Sequence, residues 1–210
     1  MIKRQIFVLL LLAGNFLFAQ TDTTGKVRYS MNYVFKDGVY LTFDEFKNNA
    51  PSITDFTVNK IGQLSSSNNV FLEYPCKDSA SKGKNCNIDD CWGYCKKGTV
   101  YISHAYEGFF FKLMVIGAAC HFVALSGFDQ PHQMSEPFAQ YGAGNDYIQY
   151  FLDFDSGEVI PFTYKKFVAF LKVKDEALYH DLSIIKKNRR KLIFLFLLKY
   201  NEKHPVYFPR

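Results

Sequence analysis

The chain contains one tryptophan, four methionines and seven prolines. It has no apolar run approaching the ~20 residues that a membrane-spanning helix needs. The longest runs, at 6–13 and 192–198, hold eight and seven residues. The sequence patterns of several common chemistries are also missing. There is no G-x-S-x-G nucleophile turn, no H-E-x-x-H zinc pair and no C-x-x-C redox pair. The segment GAGND, 142–146, lacks the preceding strand and following helix of a phosphate loop. DFDSGEVIPFTY opens like a calcium loop but puts Gly157, Glu158 and Tyr164 where Asp or Asn, Gly and Glu are required. The net charge of +5 and pI near 8.8 are too mild to imply nucleic acid as a partner.

What is present begins with MIKRQIFVLLLLAGNFLFAQ. Lys3 and Arg4 precede the apolar run, and Ala19 supplies a small residue before a cleavage point. This order predicts a secretory signal peptide over residues 1–19. No cysteine lies near the cut to carry a lipid anchor. Residues 20–36 then read as a flexible N-terminal segment, and 37–208 as one domain. Hydrophobic residues make up 48% of the chain and aromatics 18%, which excludes a disordered protein. Charge is uneven: 20–150 holds 11 basic and 13 acidic residues, whereas 151–210 holds 12 and 7.

Asp37-Gly38 marks a turn, and Thr42 stands three residues before Glu45, the spacing of a capping box. The Thr42 hydroxyl is expected to accept the Glu45 amide and the Glu45 carboxylate to reach the Thr42 amide. A short helix follows over 43–48. Strands are expected at 57–64 and 70–74, with a loop over 76–91. The strongest β signal comes next, at 92–95, 99–103, 109–116 and 118–125. The short joints between these runs predict an antiparallel meander. Gly117 marks a bulge or tight turn. After a loop over 126–145, strands at 146–154 and 158–162 flank the turn residues DSG, and Pro161 argues for an edge position. Thr163 caps a helix from Tyr164 to about Lys172, and a longer helical segment covers 175–201 with its pattern broken at Arg189. The fold class is therefore α+β: a meander sheet, a short early helix and a helical part over 163–203.

The segments GVYLTFDEFKNNAPS, WGYCKKGTVYI, YFLDFDSGEVIPFTYKKF and LLKYNEKHPVYF resemble, in order and style, those of small exported proteins widespread in Bacteroidetes. The resemblance spans about 37–208. It implies export and carries no established activity and no catalytic residue. The cysteine-rich loop at 76–91 matches it least.

Cys76, Cys86, Cys91 and Cys95 are spaced C-x9-C-x4-C-x3-C, with Cys120 further on. Structural zinc wants two close ligand pairs, and only Cys91/Cys95 approaches one. In an oxidising compartment such cysteines pair as disulfides. The preferred set is Cys76–Cys86 with Cys91–Cys95, each worth about 2–3 kcal/mol in a chain-entropy model. The rival set joins Cys95 to Cys120 across the sheet. Cys120 and His121 are strand neighbours pointing to opposite faces, so they make no dyad; a buried thiol and a surface imidazole are expected. Asp153 and Asp155 read as solvated turn chemistry.

Three functions remain open. The first is a non-enzymatic binding or structural module of the periplasm or cell surface, monomeric, with no cofactor or metal. Tyr94, Tyr101 and Tyr106 on the meander are its candidate ligand-binding residues. The second is a secreted hydrolase assembled from His104, His132, Asp153 and Glu136. The third is attachment to a membrane surface through the basic helix carrying Lys186, Lys187, Arg190 and Lys191, although a helix with one wet basic face and a buried end is the more economical reading.

Overall fold

The computed structural model describes residues 25–60, 70–75, 85–88, 90–104, 109–125 and 147–210. The predicted signal peptide, Cys76, Tyr106, His132, Glu136 and the 126–145 connection lie outside the described residues. In chain order the first elements are β1 (Lys26–Arg28), β2 (Gly38–Tyr40), α1 (Phe43–Lys47), β3 (Thr57–Lys60), β4 (Val70–Pro75) and β5 (Asn85–Asn87). The meander comprises β6 (Gly93–Lys96), β7 (Thr99–Ser103), β8 (Phe110–Val115), β9 (Ala119–Leu125), β10 (Tyr147–Asp153) and β11 (Val159–Pro161). Helices α2 (Tyr164–Lys174), α3 (Glu176–Ile184) and α4 (Arg189–Lys203) follow, then β12 (Tyr207–Pro209).

Every meander strand pairs antiparallel with the next, and β2 joins β6 at the far edge, giving the order β11-β10-β9-β8-β7-β6-β2. The joint between β6 and β7 shows why the run folds this way. Lys97 and Gly98 both take positive φ, 52° and 71°, the twist that suits a two-residue hairpin. Asp37 fixes this turn by accepting the Lys97 and Gly98 amides at 2.9 and 3.3 Å. Pro161 does sit on an edge strand. Gly117 lies in the bend between β8 and β9, and the register shifts nearby, between Leu113 and Val115.

Alternation along the strands sorts the core. Tyr40, Cys95, Val100, Ile102, Phe111, Leu113, Cys120, Phe122, Tyr150 and Leu152 face one side. That side is covered by Phe35, by Phe46 of α1, and by Val206 and Phe208 near the C-terminus. The opposite side is divided. Ala119 and Phe151 lie under the helices, against Phe167, Leu171, Leu182, Phe196, Leu197 and Tyr200. Val39, Tyr94 and Phe110 lie under the small sheet β3-β4-β5, against Phe56, Val70 and Leu72.

Three local expectations need correction. Glu45 does not reach the Thr42 amide; it accepts from Leu41 at 2.8 Å and from the Ser52 hydroxyl at 2.9 Å, while Thr42 caps Glu45 as expected at 3.2 Å. The 76–91 region is not all loop, because Asn85–Asn87 pairs with β4. Asn85, Cys86 and Asn87 carry no apolar period; the strand is set by its backbone pairing with β4 and by the Asn85 carboxamide, which donates to Glu73 at 3.3 Å. The helix expected over 175–201 is two helices. A straight one would run about 40 Å, too long to keep its apolar residues on a sheet of this width. Asp175 instead caps α3 by accepting the Leu178 amide at 3.1 Å, and the chain turns at Asn188, in the left-handed region at φ 57°, before α4 begins.

Candidate functional site

Two residues of the expected aromatic platform are described, and they pack on each other. Tyr94 is 5% exposed and belongs to the core beneath the small sheet. Tyr101 is half-buried and stacks on it at 4.8 Å. Tyr106 lies outside the described residues.

No disulfide joins two of the described cysteines. Cys91, Cys95 and Cys120 are free and buried, which corrects both pairings offered for Cys95. Cys91 faces the small sheet and Cys95 the opposite side. Cys120 shares a side with Cys95, but three strand spacings separate β6 from β9, about 14 Å, whereas bridged Cα atoms lie within ~7 Å. Burial pushes all three thiols up to about 12, so none is a thiolate nucleophile near neutral pH. Cys86 is disulfide-bonded, and its partner is not among the described residues.

The hydrolase set is not brought together by the residues described. His104 meets the rings of Phe122 and Tyr150, at 5.4 and 4.5 Å, on the side covered by α1. Asp153 is on the helix side, 5% exposed, and is no solvated turn residue. It accepts from the Asp155 amide and the Ser156 hydroxyl, and pairs with Lys174 of α2 at 3.2 Å. A second buried carboxylate, Asp175, ties α3 to the end of α4 through Lys203 and His204, at 2.8 and 2.7 Å. Burial pushes the Asp175 carboxyl up, but the hydrogen bonds from Lys203, His204 and the Leu178 amide outweigh it and hold the pKa at about 2. Both carboxylates are therefore committed to holding helices.

His121 is not on the surface. It is 5% exposed, on the helix side of β9, enclosed by the rings of Phe162 and Phe194 at 5.3 and 5.2 Å. Burial lowers its pKa, against a smaller opposing effect of Gln149, so it is neutral at ordinary pH. Its Nε2 is 3.0 Å from Gln149 Oε1, while Nδ1 is buried with no hydrogen-bond partner. Nε2–H donating to Gln149 leaves the Gln149 carboxamide nitrogen as the group that residue can offer elsewhere.

Gln149, Phe162 and Phe194 line an open groove of about 1200 Å³. Its other walls are the start of α2, with Thr163, Tyr164 and Lys165, and the turn into α4, with Lys186, Asn188, Arg189, Lys191 and Ile193. Four cations line it, from the start of α2, the α3–α4 turn and the start of α4, and among the described residues no carboxylate does. Both helix starts add partial positive charge, since their first amides have no intrahelical acceptors. Thr163 caps α2 by accepting the Lys166 amide at 3.3 Å. Asn188 makes no side-chain cap on α4, and the first turns of both helices contain no acidic residue. Arg189 sits over the Tyr164 ring at 5.7 Å and donates to the Ile185 carbonyl, which holds its guanidinium at the groove wall. Cations at a helix start oppose the helix dipole, and an anion in the groove removes that opposition.

Sequence reasoning singled out the basic run but missed Gln149, Lys165 and His121. Only the sheet register and the return of α4 across β9 and β10 bring them near it. The signal available in sequence was the basic, uncapped start of α4.

Comparison with protein-family models, with curated proteins and with solved structures finds no match to this chain.

Proposed function

We propose that the protein is an exported, non-enzymatic binding module of the periplasm or cell surface, and that it takes an anionic ligand in the groove between α2 and α4. The observation that carries this reading is the lining itself: Lys165, Lys186, Arg189 and Lys191 converge on one open space, with no carboxylate beside them among the described residues. A low-dielectric wall of Phe162, Ile193 and Phe194 strengthens their pull on an anion. Export is supported by the charged start, apolar run and small residue of 1–19, and by the disulfide at Cys86. Since the other three described cysteines are free, Cys76 is the proposed partner of Cys86, closing a short loop beside β5. The non-enzymatic reading rests on protonated thiols and on carboxylates already engaged in holding helices.

Calorimetric titration with inorganic pyrophosphate tests the site. The wild-type protein is expected to bind with an affinity that falls as salt rises, and K186Q/R189Q/K191Q to lose at least about tenfold. Equal binding by the two proteins overturns the reading.

A further inference from the structure

The helix that supplies two of the groove's cations has a second apolar side. Ile193, Phe196, Leu197 and Tyr200 are buried against the sheet and α2. Phe194, Leu195 and Leu198 are nevertheless 39%, 46% and 42% exposed. Together with Lys191 they fall at i, i+3, i+4 and i+7, one continuous helix face. Lys191 and Phe194 also line the groove, so stripe and groove are contiguous. Ile184, 62% exposed, adds an apolar residue at the end of α3, beside the turn that carries Lys186 and Lys187. Glu202, near the far end, is the only carboxylate on α4.

Large apolar side chains kept in water beside concentrated positive charge match a surface that is both apolar and anionic. A soluble anion alone gives the stripe nothing to do. A protein partner would need a matched apolar and acidic patch. A lipid surface offers phosphates above an acyl boundary, at the depth an interfacial helix reaches, roughly 5–10 Å. Residues 192–198 are too few to span and long enough to lie flat. We propose that the groove and the Phe194–Leu195–Leu198 stripe dock together on an anionic phospholipid surface, headgroup phosphates entering the groove while the stripe enters the acyl boundary. This rests on the groove being the anion site, and it assigns the ligand class and the side of the molecule that meets the bilayer.

Co-sedimentation with mixed phosphatidylglycerol–phosphatidylcholine vesicles, with pure phosphatidylcholine vesicles as control, tests it alongside the pyrophosphate titration. The wild type is expected to pellet with the anionic vesicles only, and less so in high salt. L195Q/L198Q is expected to lose about tenfold in vesicle binding while keeping its pyrophosphate affinity, and K186Q/R189Q/K191Q to lose both. If the wild type binds pyrophosphate but no vesicles, or if L195Q/L198Q pellets like wild type, the lipid assignment falls and the anion site stands. If the wild type binds neither, both fall. A wild-type dimer that L195Q/L198Q dissolves, with no vesicle binding, assigns the stripe to self-association and overturns the proposal. Thermal melts accompany each variant; should the double variant melt early, L195A carries the same comparison with a smaller loss, about threefold.

Discussion

On the side of the sheet covered by α1, Phe46 is fully buried, stacks on Trp92 at 4.4 Å and on Phe35 at 5.3 Å, and touches Phe208 at 5.6 Å. On the side covered by α2–α4, the core beneath the helices is equally dry, yet its margin leaves an open groove, cations at a helix start and three exposed apolar residues on α4. The first side consists of ring contacts that satisfy one another. The second keeps electrostatic and hydrophobic costs that the fold does not need. Unspent opposition of this kind, like the basic first turn of α4, points to something outside the chain that relieves it. The ring-rich side is the stabilising one; Tyr94 and Tyr101, singled out in the sequence, pack on the other side, against the small sheet.

Substitutions can break this contrast. The largest effect is expected from Phe46→Ala, about 3–5 kcal/mol of stability by chemical denaturation, with pyrophosphate affinity unchanged below the melt. A parallel loss of affinity would show that the two sides are not separable. Asp175→Ala comes next, at about 1–2 kcal/mol, because it removes an N-cap and the acceptor shared by Lys203 and His204, both of which can turn to water. The same carboxyl gives a pH signature. Its pKa is depressed to about 2 in the folded state from an ordinary 3.8, so its stabilisation is present above pH ~4 and lost as pH falls toward 2. Acid melts of wild type and Asp175→Asn should therefore converge across that window; curves that stay parallel would contradict it.

Gly117→Ala is expected to cost about 1–2 kcal/mol. A Cβ there would stand 2.5 Å from the Asn201 carboxamide, which is held by the Ala119 amide and carbonyl at 2.7 and 2.9 Å. In an Asn201→Ala background the glycine substitution should cost little, and strict additivity would dismiss the clash. The smallest effect has the opposite sign. Lys191→Glu should raise stability by about 0.3–1 kcal/mol by suiting the helix dipole, while weakening pyrophosphate binding. A variant that loses both stability and binding would mean that the charge serves the fold.

Elements defined by local pattern were readable in advance. The meander follows from alternation in TVYIS, FFKLMV and ACHFVAL and from short joints, and the Thr42 and Thr163 caps follow from composition at helix starts. What escaped depends on contacts distant in sequence. Tyr94 became core because β3–β5 cover it; His121 became buried because α4 returns across β9; the end of α4 comes back to the start of α3, where Asp175 meets His204. The cysteines misled because compartment alone does not bring thiols together. Cys91, ahead of β6, turns to the small-sheet side while Cys95 faces the other, and three strand spacings keep Cys95 from Cys120. Of the groove, only the basic run was visible, because its other half comes from the register of β10 and from the start of α2.

One pairing has a consequence for biosynthesis. β1 and β12 form their own two-stranded sheet, with Val27 opposite Phe208, and Phe208 touches Tyr29, Tyr33, Phe35 and Phe46. The earliest described strand thus waits for a partner in the last described strand. A nascent chain still short of Phe208 has the meander within reach but not the seal over its aromatic side, so that side closes only after every other described element has been made.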